Sequence, residues 1–197
     1  MWYFVKIVLA STSKFKSDIL SRVHIKHECM GIDYEENSNQ SNYIEYVKEL
    51  ALGKANCLKD KVDGIIIGID NVVVCNDEII EKPESIEEAR SNLVKASNNV
   101  SKVVSGLAII DTINNKVINT YQETLVYMNE ISEEDINYYI DNEEGVMYAA
   151  GFIIENIASN FINKIEGSYY NILGVPVEKI YEILKDMGYN LKDINES

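Results

Sequence analysis

The run Gly64–Val74, GIIIGIDNVVV, constrains this chain more than any other stretch. It is apolar at odd and even positions alike, as in a strand buried on both faces. Such a strand needs a layer above it and a layer below, so the run points to the centre of an α/β sheet. One residue breaks it. Asp70 puts a carboxylate where an unpaired charge would be costly. A strand-end aspartate in a tight turn is the ordinary alternative, but apolar residues continue on both sides. Asp70 therefore reads as a functional carboxylate in a cleft, suited to hold a divalent cation or to take a proton from water.

The flanking sequence alternates strand-like and helix-like segments. Trp2–Ala10 (WYFVKIVLA) reads as a buried strand, and Ser13–Val23 (SKFKSDILSRV) as a helix entered through a hydroxyl cap. Ser41–Lys61 reads as a long amphipathic helix, with Ile44, Val47, Leu50, Ala51, Ala55 and Leu58 near helical spacing. Ser85–Ser97 is a helix with a Ser-x-x-Glu capping box at Ser85 and Glu88. Lys102–Met128 reads as two long strands around Asn114-Asn115. Ser132–Asn142 is another capped helix, Phe161–Gly174 mixes strand and turn, and Pro176 opens the last helix at the position proline favours. The expectation is an α/β fold: a long mixed sheet with flanking helices, forming two lobes around a central cleft. No repeat or low-complexity linker interrupts it, so 1–197 reads as a single domain.

Charge narrows the partners. A formal net charge of −14 argues against a broad basic surface for a nucleic acid polymer or an anionic membrane. It leaves room for a small anion, because a few lysines and a metal can make a cleft locally positive. Cys29, Cys57 and Cys75 are widely spaced with no C-x-x-C, and the only histidines are His24 and His27. That pattern argues against a zinc site or a disulfide framework and suits the cytoplasm. No run approaches the length of a membrane span. The apolar N-terminal run is interrupted by Lys6 and lacks a preceding basic segment, unlike a signal peptide.

Other polar residues fit a pure core reading poorly. Glu35 and Glu36 end the second expected strand and offer a second carboxylate near Asp70; a solvated acidic turn is the plain alternative. Lys54 lies within the long helix beside Ala51 and Ala55, where a snorkelling surface lysine is the competing reading. Lys82 precedes Pro83 at the entry to a capped helix, and reads either as a phosphate ligand or as a surface lysine. Leu9–Lys16 (LASTSKFK) is strand, hydroxyl turn and helix start. It is either a simple N-cap or an anion site, since helix N-termini present free N–H groups and a positive dipole end. It matches neither the G-x-x-x-x-G-K-[ST] nor the G-x-G-x-x-G pattern. Glu155 is the one acid in the apolar stretch AAGFIIENIASNF.

These pieces, in this order, resemble the Maf family of nucleoside triphosphate pyrophosphatases, the septum-formation-inhibitor-like proteins. The resemblance is carried by LASTS at Leu9–Ser13, Glu36, LALGKA with Lys54, IIGIDNVVV with Asp70, EKP with Lys82, and SIEEARSNLVKAS. It continues through SGLAI, EEDINYYI, AAGF and IEGSYYNILGVP, and so covers nearly the whole chain. It implies a Maf/ITPase-like fold, commonly dimeric, and hydrolysis of a nucleoside triphosphate to the monophosphate and pyrophosphate with magnesium or manganese. It implies Asp70 as proton acceptor, Glu36 and Asp70 as metal ligands, and catalytic support from Lys82. Ser11, Ser13, Lys16 and Lys54 would meet the phosphates.

Three positions lean towards the 7-methyl-GTP branch of the family: Phe15, Asn71 and Glu155. A carboxylate can accept the paired N–H donors of guanine, and an aromatic face suits the cationic methylated base. The dTTP/UTP branch typically carries a late glutamine, which matches an imide with donor and acceptor. There are departures. Lys14 stands for the family's proline, Lys16 and Ser17 for its two arginines, and Tyr148 where a lysine is common in one branch. The alternatives are therefore a dTTP/UTP pyrophosphatase, or a weakly active relative that binds nucleotide or regulates cell division.

Overall fold

The architecture follows from the central strand outwards. The structure, a computed structural model, describes residues 5–195, so Trp2–Phe4 of the expected first strand lie outside the described residues. Among the described residues the strands are β1 (Ile7–Leu9), β2 (Glu28–Cys29), β3 (Ile65–Cys75), β4 (Glu78–Ile80), β5 (Val100–Asp111), β6 (Lys116–Met128) and β7 (Ile162–Glu166). They pair in the order β2-β1-β3-β5-β6-β7, with β4 on β3. β1 runs parallel to β2 and β3, whereas β4 and β7 are antiparallel to their neighbours, so the sheet is mixed. The helices are α1 (Lys14–Arg22), α2 (Tyr43–Asn56), α3 (Ile86–Ala96), α4 (Glu133–Asn142), α5 (Tyr169–Ile172), α6 (Val177–Asp186) and α7 (Leu191–Asn195). The α/β class and the mixed sheet expected from the sequence are both present.

The chain divides into two units. One comprises Met1–Asn71, Val104–Gln122 and Ser168–Ser197; the other comprises Val72–Val103 and Glu123–Gly167. β3, β5 and β6 each contribute residues to both.

In the first unit, α2 packs on the sheet through Ala51 and Ala55, with Leu58 of the turn after it, against Val8, Ile66, Ala108 and Ile110. Two glycines allow a close approach. A Cβ on Gly68 would lie 2.2 Å from the Ala51 carbonyl oxygen, and one on Gly106 would lie 2.0 Å from that of Val47. Only a residue without a side chain fits either place, and α2 is thereby held flush on β3 and β5.

In the second unit, Ser85 caps α3 by accepting from the Glu88 N–H at 3.1 Å. The Glu88 carboxylate in return accepts from the N–H of Glu84, one residue outside the expected box partner. Ser132 caps α4 in the same way, accepting from Asp135 N–H at 3.1 Å. Asn92 on α3 donates to the Glu81 carbonyl and so ties that helix to the segment carrying Lys82.

Several expectations need correction. Glu35 and Glu36 do not end a strand: β2 stops at Cys29, and both lie in an irregular segment. Among the described residues β2 pairs with the three-residue β1 in two registered pairs, and Met30 N–H donates once more to the Leu9 carbonyl before the chain leaves the sheet. The helix expected over Ser41–Lys61 is Tyr43–Asn56: Asn42 caps it from outside, and turns follow Asn56. Pro176 is the cap of α6 rather than its first helical residue, since its ψ of 71 is not helical. Nor is that helix the last, because α7 follows.

Candidate active site

The site in the first unit is built from the bottom of the hydroxyl turn upwards. Ser13 caps α1, its Oγ accepting from Lys16 N–H at 3.4 Å, and Ser11 Oγ accepts from Ser13 N–H at 3.1 Å. Both hydroxyl oxygens thus serve the turn itself and shape the helix entry. Lys16, one turn into α1, points back to β3 and donates to the Ile69 carbonyl at 3.3 Å. Enclosure of its ammonium lowers its pKa from 10.5 to about 8; the Asp70 charge opposes that fall and the Lys54 charge adds to it. Phe15, on the same turn, is 45% exposed.

Asp70 is the last buried residue of the first stretch of β3, and Asn71 beside it is exposed. Burial is the largest influence on the Asp70 carboxyl and raises its pKa, against the opposing pull of Lys54 and Lys16. The Lys54 ammonium, one turn along α2 from the Gly68 contact, lies 2.5 Å from Asp70 Oδ1 and 2.7 Å from Glu36 Oε1. Burial disfavours its charge, yet the two carboxylates outweigh burial and its pKa is raised. Asn71 packs on the turn at Gly174 (φ 79), where a Cβ would lie 3.0 Å from its Oδ1. Ser11, Ser13, Phe15, Lys16, Glu36, Lys54, Asp70 and Asn71 therefore all belong to the first unit, with Lys16, Lys54 and Glu36 acting electrostatically on Asp70.

Lys82 and Glu155 belong to the second unit, and both are exposed. The Lys82 ammonium sits over the Tyr148 ring, 5.7 Å from its centroid, within cation–π range.

Two features escaped sequence reasoning. The Tyr34 ring lies directly on Gly53, where a Cβ would be 2.2 Å from its Cζ and Oη. That contact anchors the irregular segment bearing Glu36 to the helix bearing Lys54. The bare glycine inside a helical run was the one available signal. Ser17 also gains an explanation. His27 Nδ1 lies 2.8 Å from the Ile25 carbonyl, and its Nε2 shares a hydrogen bond with Ser17 Oγ at 2.9 Å. Ser17 thus fastens α1 to the segment leading into β2.

The donor set suits a hard divalent cation. Glu36 and Asp70 direct two carboxylates at one ammonium, and hard oxygen ligands are what magnesium and manganese take. Among the described residues no group of three or more His, Cys, Asp or Glu forms a cage. Magnesium is commonly held by only one or two carboxylates, with substrate phosphates and water completing the shell.

Among the described residues no helix is long and apolar enough to cross a membrane. In overall fold the chain is similar to a HAM1 protein from Coxiella burnetii, with a TM-score of 0.52 at 11% identity, covering 92% of this chain and 99% of that one. In sequence it is 37% identical over 191 residues to a dTTP/UTP pyrophosphatase of Clostridium novyi (strain NT), covering 95% of this chain and all of that protein. A dTTP/UTP pyrophosphatase of Alkaliphilus oremlandii (strain OhILAs) is 36% identical over 184 residues, covering 92% of this chain and 95% of the relative. The family model described as Maf-like protein matches residues 6–187, which spans both units and every candidate residue above. The chain belongs to the Maf-like protein family.

Proposed function

We propose that this protein is a nucleoside triphosphate pyrophosphatase, a hydrolase acting on an acid anhydride. Water adds to the α-phosphorus, the bond from that phosphorus to the bridging oxygen breaks, and nucleoside monophosphate and pyrophosphate leave. The observation that carries this reading is the Lys54 ammonium held between Asp70 and Glu36, with Lys16 on the neighbouring Ile69 carbonyl and its charge acting on the same Asp70.

The residues divide the work by their chemistry. Asp70, whose raised pKa makes it a better base than an ordinary carboxylate, accepts the proton of the attacking water. Glu36 and Asp70 would hold magnesium or manganese, which when bound would neutralise phosphate oxygens and act as a Lewis acid. Lys54 keeps the carboxylates neutralised in the free protein, and its flexible stem lets the ammonium turn to a phosphate. Lys16, Lys82, and the N–H groups of the Ser11–Ser13 turn and α1 stabilise charge on the leaving pyrophosphate.

Similarity to relatives named dTTP/UTP pyrophosphatases over nearly the full chain supports dTTP and UTP as substrates. A second reading, 7-methyl-GTP, is favoured by the exposed Phe15 and by the carboxylate of Glu155. In the second reading Glu155 accepts the paired N–H donors of guanine, whereas the carbonyl oxygens that flank the imide N–H of uracil or thymine would meet its carboxylate unfavourably.

Purified protein with magnesium or manganese is expected to release pyrophosphate from a panel of dTTP, UTP, GTP and 7-methyl-GTP. Absence of turnover on every nucleotide, or release of single phosphates, defeats the proposal and leaves a nucleotide-binding relative. Asp70→Asn is expected to lower kcat by about 100-fold or more, the usual worth of a positioned general base. The rank order of the panel separates the two readings of the base.

A further inference from the structure

Glu143 is a buried carboxylate that the reaction above does not use. It sits at the C-terminal cap of α4, 6% exposed. Its oxygens are held by neutral donors: Gly145 N–H at 3.1 Å and Asn156 Nδ2 at 3.1 Å on Oε1, and Ile157 N–H at 3.4 Å on Oε2. Those donors come from the two ends of the segment between Gly145 and Ile157, and the last two directly follow Glu155. A fully buried neighbour on the same helix acts similarly, for Tyr139 Oη accepts from Ile153 N–H at 3.1 Å. The segment is folded tightly on itself: a Cβ on Gly145 would lie 2.0 Å from Ile153 Cδ1. Gly151 (φ 90) rests on Ala89 of α3, where a Cβ would lie 3.2 Å from its Cα. Between these anchors the segment presents the exposed side chains of Tyr148, under the Lys82 ammonium, and Glu155.

We infer that Glu143 is a positioning residue for base recognition, a buried clasp that closes the loop Gly145–Ile157 and so fixes where Glu155 is presented. This rests on the base-facing role given to Glu155 above. The physical logic is that an exposed loop pays side-chain and backbone entropy to read a ligand unless it is already ordered. A carboxylate accepting from both ends of the loop orders it beforehand, and burial strengthens those bonds. Burying that carboxyl group has its use in that ordering.

The test compares Glu143→Gln, Glu155→Gln and the double variant in the full chain. Glutamine turns one accepting oxygen into an NH2 group facing an N–H donor, so at least one end of the clasp opens. The ratio of kcat/KM between the best and the poorest nucleotide of the panel is expected to fall about tenfold in Glu143→Gln, mainly through KM. The inhibition constant of inorganic tripolyphosphate, which lacks a base, should stay within twofold. Glu155→Gln should shift the ratio in the same direction, and the double variant should add little. If Glu155→Gln shifts the ratio and Glu143→Gln does not, the clasp is overturned while base reading stands. If Glu155→Gln leaves the ratio unchanged, the base-reading role falls and the clasp with it. A uniform loss on all nucleotides and on tripolyphosphate would reduce Glu143 to a fold-supporting group. Should Glu143→Gln fail to fold, Asn156→Ala opens the same clasp from the loop side without altering the buried carboxylate. It is expected to lower the ratio in the same sense, and an unchanged ratio in that variant overturns the proposal.

Discussion

Lys54→Met isolates the electrostatics of the site. Methionine keeps the apolar stem on α2 and removes only the ammonium that lies 2.5 Å from Asp70 and 2.7 Å from Glu36. The two arms are unequal. Glu36 is 54% exposed, so its arm is screened and contributes at most about 1 kcal/mol. The Lys54 and Asp70 side chains are only 13% and 12% exposed, and breaking a buried pair from one side costs about 3–5 kcal/mol. Lys16 still acts on Asp70, which puts the expected loss near the lower end, about 3 kcal/mol at pH 8. The Lys54 charge and hydrogen bond oppose the effect of burial on Asp70, so losing Lys54 raises the already raised Asp70 pKa further. The folded state then holds the Asp70 proton more tightly than the unfolded chain does. Stability is therefore retained near pH 4 and lost as pH climbs from 3.8 through the folded pKa. The gap between wild type and Lys54→Met should therefore narrow on the acid side. Urea unfolding of metal-free protein in chelator, at pH 5 and pH 8, measures it. The double variant Lys54→Met/Asp70→Asn should recover most of the loss at pH 8. A gap equal at the two pH values, or a double variant no more stable than Lys54→Met, refutes the coupling.

Three further outcomes are expected. Gly106→Ala should destabilise the protein by about 2–3 kcal/mol in chemical unfolding, because its Cβ meets the Val47 carbonyl of α2 at 2.0 Å and backbone must move. Lys16 is charged below about pH 8 and neutral above it, so tripolyphosphate binding to metal-free protein, measured by calorimetry, should weaken from pH 7 to pH 9. That dependence should be much reduced in Lys16→Met. Gly53→Ala displaces the Tyr34 ring from α2 and with it the segment carrying Glu36. Manganese affinity, read by electron paramagnetic resonance, should fall several-fold, whereas Ala at an open helical site would only stabilise.

Local chemistry explains what was legible in the sequence. The caps Ser13, Ser85 and Ser132 each satisfy an N–H three residues ahead, and a bond of that reach is visible in any short window. The hairpin over β5 and β6 was legible for the same reason, since Asn115 takes the left-handed conformation (φ 52) that Asn-rich turns favour. The end of β2 was not legible. Nothing in Met30–Asn42 forbids a strand, but the three-residue β1 ends at Leu9.

The sequence by itself determined the class of fold and offered the candidate residues for the site. An uninterrupted apolar run demands two covering layers, and a carboxylate inside it demands a partner. Only the tertiary structure decided which partner. Lys54 reaches Asp70 from a separate helix because Gly68 and Gly106 let α2 sit flush on the sheet, a consequence of backbone contact rather than of spacing. Glu36 arrives through the Tyr34–Gly53 contact, and Glu143 closes a loop from a helix end. Such contacts join residues far apart along the chain. Their energies depend on burial and packing that no local window contains, so they became readable only once the chain was folded.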